Sequence, residues 1–122
     1  LGEEFKRQFK WLAKKYHSLT NDFKVFMRAM ETDPMQGVDL GNGMRKVRMT
    51  IASKGKGKSS GARVITYHVV LTHEHIEVNL LTIYDKSELA NVSDSYLKSL
   101  LTELLWPQNF LYKNKTNWIT FW

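Results

Sequence analysis

At 122 residues the chain has the length of one domain, and its 43% hydrophobic and 25% charged residues are typical of a folded globular protein. The absence of cysteine excludes disulfides, thiolate nucleophiles and cysteine-based zinc sites, and no apolar run reaches the roughly 18 to 20 residues of a membrane span. From the net charge of +6 and a charged start unlike a signal peptide, we expect a cytoplasmic protein that binds an anionic partner and no membrane. The first residue is not methionine, so we expect the sequence to begin inside a longer chain or after trimming.

The first predicted elements are two amphipathic helices that form a hairpin. Apolar residues recur at helical spacing over residues 5–16, with basic residues between them, and again over residues 23–30. The break between the helices contains Ser18 and Thr20, either of which can cap the second helix. Pro34 ends that helix, since proline disfavours a helical conformation at the residue before it.

Three strands are predicted after a loop at residues 37–43. Residues 44–51 alternate between apolar and polar side chains, which indicates a strand with one basic face. Residues 63–71 are almost continuously apolar and rich in β-branched side chains, as in a central strand, and residues 76–84 form the third strand. The short connections favour an antiparallel sheet.

A third helix and a tail complete the prediction. Asn91 or Ser93 can cap a helix whose apolar stripe begins at Leu97 and continues to Leu104. Helices, then strands, then a helix predict an α+β domain, with the helix hairpin packed on a small antiparallel sheet. We assign the domain to residues 1–106. Residues 107–122 form a tail that fits a further strand, a partner-binding arm or an added sequence.

The positive charge is concentrated in one segment of the chain. No acidic residue lies between Leu40 and His73, whereas the rest of the chain carries 11 basic and 12 acidic residues. A field of one sign attracts polyanions such as nucleic acid, although a solvated surface without a ligand is the alternative. The seven basic residues of the segment are Arg45, Lys46, Arg48, Lys54, Lys56, Lys58 and Arg63.

The loop between the first two predicted strands has the sequence KGKGKSSGAR, at residues 54–63. Its alternating lysines and glycines let the backbone approach a ligand while three ammonium groups converge on it, which suits a phosphate. It is not a nucleotide-binding P-loop, because that motif needs glycine where Ala52 stands and a helix after the loop. A flexible hairpin loop kept soluble by its lysines is the alternative.

Two motifs in fixed order carry a resemblance to a known family. The run MRKVRMTIASKGKGKSSGARVITYHV, followed by LLTIYDKSELANVS, closely resembles the RelE/HigB toxins of type II toxin–antitoxin systems, over roughly residues 5–105. The resemblance implies a RelE-like α+β domain and a ribosome-dependent endoribonuclease that cuts mRNA in the decoding site. It also implies a cognate antitoxin, which we expect to be of the helix-turn-helix type and to provide the only link to operator DNA.

The expected chemistry needs neither a metal nor another cofactor. The 2′-OH attacks the adjacent phosphorus and the 5′-oxygen leaves, which gives a 2′,3′-cyclic phosphate. Preorganised cations can each stabilise such a transition state by on the order of 3 kcal/mol. Arg63 is the first candidate because its guanidinium can hold two phosphate oxygens, and Arg48 on the neighbouring strand is the second.

Lysines and one aromatic residue complete the predicted site. Lys54 and Lys56 are the candidates for a catalytic base or acid, and with Lys58 they contact the RNA backbone. Tyr84 either acts on the substrate, by stacking a base or orienting the 2′-OH, or is an amphipathic residue at a sheet edge. Lys86 is a further RNA contact, with a salt bridge to a neighbouring acid as the alternative. The remaining predicted RNA contacts are Arg45 and Lys46.

The histidines do not predict a metal site. His73 and His75 lie on one side of an extended segment, but two imidazoles without a third ligand are a weak signal. His68, inside the central strand, is predicted to have a hydrogen-bonded packing role. The alternative function is a noncatalytic module that binds RNA, the ribosome or another partner through the same basic face.

Overall fold

The computed structural model describes residues 2–54, 61–89 and 91–105. The chain divides into two compact units, Leu1–Asn91 and Val92–Trp122. The elements in chain order are α1 (Glu3–Lys15), α2 (Leu19–Thr32), β1 (Val38–Gly41), β2 (Met44–Met49), β3 (Ala62–Thr72), β4 (His75–Asp85) and α3 (Asp94–Leu105). The predicted α+β class, with two N-terminal helices, an antiparallel sheet and a C-terminal helix, is confirmed.

The sheet has four antiparallel strands in the order β1-β2-β3-β4. The prediction of a loop over residues 37–43 is wrong, since β1 forms there and pairs with β2. The two strands are joined through Asn42 and Gly43, which have φ angles of 55° and 81°. Positive φ at both positions is the requirement of the tightest hairpin turns, which Asn-Gly meets at little cost. The strand escaped prediction because it is short and exposed and buries no apolar face.

Helix α2 begins at Leu19 without the predicted side-chain cap. Ser18 occupies the N-cap position, but its hydroxyl makes no capping hydrogen bond. The hydroxyl instead donates to Asp22 Oδ2 at 2.6 Å and accepts the backbone N–H of Ser53 at 2.9 Å. Thr20 lies inside the helix and does not cap it either. The Ser18 hydroxyl therefore connects the start of α2 to the residues before the lysine-rich loop.

The core of the first unit lies between the two helices and one face of the sheet. Phe5, Leu12 and Phe26 of the helices belong to one buried cluster with apolar residues of the strands. Those strand residues include Val47 and Val64, which are direct cross-strand neighbours. Because successive side chains of a strand point to opposite faces, the residues next to them point away from the helices.

The described part of the second unit, residues 92–105, contains α3. Ser93 Oγ accepts the backbone N–H of Tyr96 at 3.1 Å, so the predicted cap at Ser93 is confirmed. Leu97 and Leu100 of the predicted stripe are buried. The tail at 107–122 lies outside the described residues. No helix in the described part of the chain is long and apolar enough to cross a membrane.

Candidate functional site

Three predicted site residues form a row across the sheet, on the face that points away from the helices. Arg63 of β3 lies directly opposite Arg48 of β2 and directly opposite Tyr84 of β4. Cross-strand neighbours have their Cβ atoms about 5 Å apart, so the three side chains start side by side. We call Arg48, Arg63 and Tyr84 the cationic row.

The two arginines of the cationic row differ in exposure. Arg48 is exposed, whereas only 6% of the surface of Arg63 is exposed to solvent. Burial and then the positive charge of Arg48 lower the pKa of the Arg63 guanidinium, and Tyr84 acts in the opposite direction. The charge of Arg63 is therefore held in surroundings that disfavour it.

Tyr84 presents a buried hydroxyl to the row. Its oxygen is buried and has no hydrogen-bond partner among the described residues. Burial raises the pKa of Tyr84, and the charge of Arg63 only partly opposes this. The phenol therefore stays protonated at neutral pH, where it can donate a hydrogen bond to an incoming group.

A second row on the same face adds one more predicted residue. Lys46 lies opposite Ile65 of β3, which lies opposite Thr82 of β4. Lys46 is two residues from Arg48 on the same strand, a separation of about 7 Å along the strand. It is half-buried. The fold thus brings Lys46 beside the cationic row, in agreement with the predicted basic face of β2.

Lys54 is placed in a different group, on the helix side of the sheet. Its ammonium lies 2.7 Å from Oδ1 of Asp85, whose side chain is fully buried. The same carboxylate accepts the hydroxyls of Tyr16, which follows α1, and of Ser87. Burial by itself raises the pKa of the Asp85 carboxyl, but hydrogen bonds from Lys54, Tyr16 and Ser87 outweigh it and hold the pKa well below its usual range. Lys54 therefore holds a buried carboxylate and is not part of the cationic row.

The residues before the lysine-rich loop are tied to α2. Asp22 is 8% exposed, and its Oδ2 accepts both the hydroxyl of Ser18 and the backbone N–H of Ala52, the latter at 3.1 Å. A single 3-10 turn at Ala52–Lys54 follows. The polar contacts fix where the loop leaves the sheet.

The return of the loop depends on Gly61. Its carbonyl accepts the backbone N–H of Lys86 at 3.0 Å, and a Cβ added to it would lie 2.3 Å from the carbonyl oxygen of Met49. Only glycine fits this close approach of two backbones. Lys56 and Lys58 of the loop lie outside the described residues. Lys86 is half-buried and follows β4 directly, one residue after the Lys54 partner Asp85.

Two other predicted residues make contacts away from the row. Arg45 donates to the carbonyls of Gln36 and Gly37 at 3.2 and 2.9 Å, so it holds the segment before β1 and is not brought to the cationic row. His68 Nε2 lies 2.5 Å from the carbonyl oxygen of Pro34, which confirms the predicted packing role of this histidine.

Sequence reasoning missed the importance of Asp85, Tyr16 and Asp22. Asp85 stands within the YDKSE motif, but its partners Lys54 and Tyr16 lie 31 and 69 residues away in the chain. No spacing rule connects residues at such separations. The available signal was a carboxylate at the end of a strand whose second half is mostly apolar.

Comparison with known families gives no assignment, since no protein-family model matches the chain. Within residues 2–54, 61–89 and 91–105, no group of three or more histidine, aspartate or glutamate side chains is arranged to hold a metal ion.

Proposed function

We propose that the protein is an endoribonuclease that cleaves mRNA on the ribosome without a metal, as the toxin of a type II toxin–antitoxin system. The observation that carries this proposal is the cationic row. Arg48 and Arg63 lie directly opposite each other on neighbouring strands, so two guanidinium groups converge on one part of the sheet and can bind the same anion. An RNA phosphodiester is such an anion, and the resemblance to RelE/HigB toxins supports this choice.

In the proposed reaction the row stabilises charge. The planar guanidinium of Arg63 holds two nonbridging phosphate oxygens, while Arg48 approaches the same group from the neighbouring strand. As the 2′-oxygen attacks phosphorus and the bond to the 5′-oxygen breaks, negative charge grows on these oxygens. Tyr84 donates a hydrogen bond to one of the reacting oxygens.

The reaction also moves protons, one from the 2′-OH to a base and one from an acid to the departing 5′-oxygen, and we place the base outside the cationic row. The raised pKa of Tyr84 makes it a poor base at neutral pH, and the Lys54 ammonium is paired with Asp85. One of the loop lysines stays the predicted base or acid, and of these Lys56 and Lys58 lie outside the described residues. Only 6% of the Arg63 surface and 8% of the Tyr84 surface are exposed, whereas Arg48 is exposed, so Arg48 is the member of the row that a phosphate meets first.

The proposed partners follow from the same assignment. They are the ribosome and its mRNA, a cognate antitoxin of the helix-turn-helix type, and operator DNA through that antitoxin alone. The proposed compartment is the cytoplasm. The net charge of +6 supports an anionic ribonucleoprotein target and an acidic antitoxin segment.

A noncatalytic module that binds RNA or a partner is the second candidate. The low exposure of Arg63 and Tyr84 favours it, as does the pairing of Lys54 with a carboxylate. Such a module would hold a phosphate at Arg48 and Lys46 and would break no bond.

Inducible expression in bacteria separates the two candidates. Wild type should arrest growth and cleave mRNA. Arg63→Ala should lose both, with cleavage reduced by about 100-fold or more. A double alanine variant of Lys56 and Lys58, which leaves the Lys54–Asp85 pair intact, should also be weakened, whereas Lys24→Ala, an exposed lysine on α2, should act like wild type.

Two outcomes would contradict the nuclease. One is folded wild-type protein that accumulates while growth and mRNA stay intact, which favours the noncatalytic module. The other is an Arg63→Ala variant that arrests growth as strongly as wild type, which removes the cationic row from the mechanism.

A further inference from the structure

The outer side of α1 carries a basic and aromatic surface that the proposed site does not use. Trp11 is 51% exposed, and Lys10 and Lys14 beside it are exposed too. Residues three and four apart are neighbours on a helix, so these side chains share one side, away from the buried Phe5 and Leu12. We call Lys10, Trp11 and Lys14 the α1 stripe.

The charges of the α1 stripe are not neutralised within the described residues. The acidic residues of α1 are confined to its first turn, where Glu3 pairs with Lys6 and Glu4 with Arg7. Lys15 pairs with Glu88. Lys10 and Lys14 have no ion-pair partner in residues 2–54, 61–89 and 91–105, so their ammonium groups remain for an external anion.

Trp11 gives the stripe a second kind of contact. An indole with half of its surface exposed contributes little to the core, and a flat aromatic surface is a stacking platform for an unpaired base. The ammonium of Lys15, which is paired with Glu88, lies 5.5 Å from the centre of the ring, so the charge available beside the platform is that of Lys10 and Lys14. Cations flanking an exposed aromatic ring are the combination by which proteins hold single-stranded nucleic acid.

We propose that the α1 stripe is a second RNA-binding surface, where an unpaired base stacks on Trp11 while Lys10 and Lys14 contact phosphates. An acidic protein segment would satisfy the lysines but would leave the exposed indole without a matching group. The inference deepens the proposed function, because it assigns a contact with folded RNA to a protein proposed to act on ribosome-bound mRNA.

The positions of the two surfaces favour folded RNA over a single extended strand. The α1 stripe is on the outside of the helix layer, and the cationic row is on the face of the sheet opposite to that layer. One helix and one sheet separate them by roughly 20 Å. A folded RNA can present an unpaired base to Trp11 and another segment to Arg48 and Arg63 at the same time.

Binding of RNA by the full chain tests the inference. The probe is a fluorescein-labelled RNA hairpin with an unpaired loop, in EDTA, and the parent protein is Arg63→Ala so that no probe is cut. Adding Trp11→Ala should weaken binding about tenfold. Adding Lys10→Gln and Lys14→Gln should reduce the slope of log K against log salt by about 1.4, because two phosphate contacts are lost. Lys24→Gln on α2 is the matched control and should change neither value.

Unchanged affinity in Trp11→Ala, together with an unchanged salt slope in the lysine variant, overturns the inference if urea unfolding shows both variants to be folded. Equal binding of poly-glutamate and RNA, with Trp11→Ala weakening both alike, also overturns it and assigns the stripe to an acidic protein. If mRNA is not cleaved but RNA binding still depends on Trp11, the proposed nuclease activity is wrong and this inference stands. Intact cleavage together with RNA binding that neither Trp11→Ala nor the lysine pair changes would overturn this inference and keep the nuclease.

Discussion

The Tyr84 hydroxyl is buried and has no hydrogen-bond partner among the described residues, which costs a folded protein about 1 to 3 kcal/mol. A residue that serves packing alone would be better as phenylalanine. We therefore expect Tyr84→Phe to leave the free energy of unfolding unchanged, or to raise it by about 1 kcal/mol, while mRNA cleavage falls at least tenfold. Urea unfolding and a cleavage assay on the same preparation measure the two effects. If Tyr84→Phe loses stability but cleaves mRNA fully, Tyr84 stabilises the fold and takes no part in cleavage.

Asp85 allows a prediction about pH as well as about stability. Asp85→Asn leaves the Lys54 ammonium without its carboxylate, which should lower the free energy of unfolding by about 3 kcal/mol at pH 7. The pKa of the Asp85 carboxyl is lower in the folded state than the ordinary value of about 3.9 expected in the unfolded chain. Its stabilisation is therefore complete above that ordinary value and declines as the pH falls through the folded-state pKa.

Urea unfolding of wild type and Asp85→Asn between pH 7 and pH 3 measures this difference. The difference in the free energy of unfolding between wild type and Asp85→Asn should be constant down to about pH 5 and should become smaller below about pH 4. Glu31→Gln, at an exposed position of α2, is the matched control and should differ little from wild type at any pH. A gap that widens on acidification would contradict the assigned direction of the pKa shift.

Among the connecting elements, the loop between β2 and β3 depends on a close backbone approach at Gly61. A Cβ there would lie 2.3 Å from the Met49 carbonyl oxygen, so the two strands must separate. We expect Gly61→Ala to destabilise the protein by about 1 to 3 kcal/mol and to reduce cleavage, because the displaced residues lead directly to Arg63. Gly41→Asn is the comparison variant: its site has open space but a φ of 85°, so it carries backbone strain without the clash and should be destabilised less than Gly61→Ala. Equal stability of Gly61→Ala and wild type would show that the loop does not need this approach.

The elements differ in how far the sequence predicts them. Helices α1 and α2 follow from the spacing of their apolar residues, and β3 and β4 follow from their β-branched composition. Strand β1 does not, because it is exposed and only four residues long, although Asn42-Gly43 carried a usable hairpin signal. Ser18 occupies the N-cap position without capping, because its hydroxyl donates to Asp22 one turn later in the same helix and accepts the backbone N–H of the distant Ser53.

The residues of the candidate site also differ in how far the sequence predicts them. Arg48, Arg63 and Tyr84 could be chosen from residue type and motif, but their alignment depends on strand register, which no single residue determines. Lys54 was expected beside them. Lys54 pairs instead with Asp85 at the end of β4, because a buried carboxylate strongly attracts an ammonium group that can reach it.

For the whole molecule, the net charge of +6 is distributed over more than one surface. The basic segment that predicted an anionic partner provides the cationic row and Lys46 on one face of the sheet. The first helix carries five basic and two acidic residues, and its Lys10 and Lys14 have no ion-pair partner within the described residues. The single sum taken over the rest of the chain, with 11 basic and 12 acidic residues, concealed this local excess.

A reconstituted bacterial translation reaction with one defined mRNA tests the central claim most directly. Purified protein should cut the mRNA only where a ribosome holds it and should leave 2′,3′-cyclic phosphate ends, and Arg63→Ala should reduce the rate by about 100-fold or more. Cutting of the same mRNA in EDTA without ribosomes would keep the nuclease and remove the ribosome requirement. Intact mRNA in the presence of folded wild-type protein, or equal cutting by Arg63→Ala, would contradict the account.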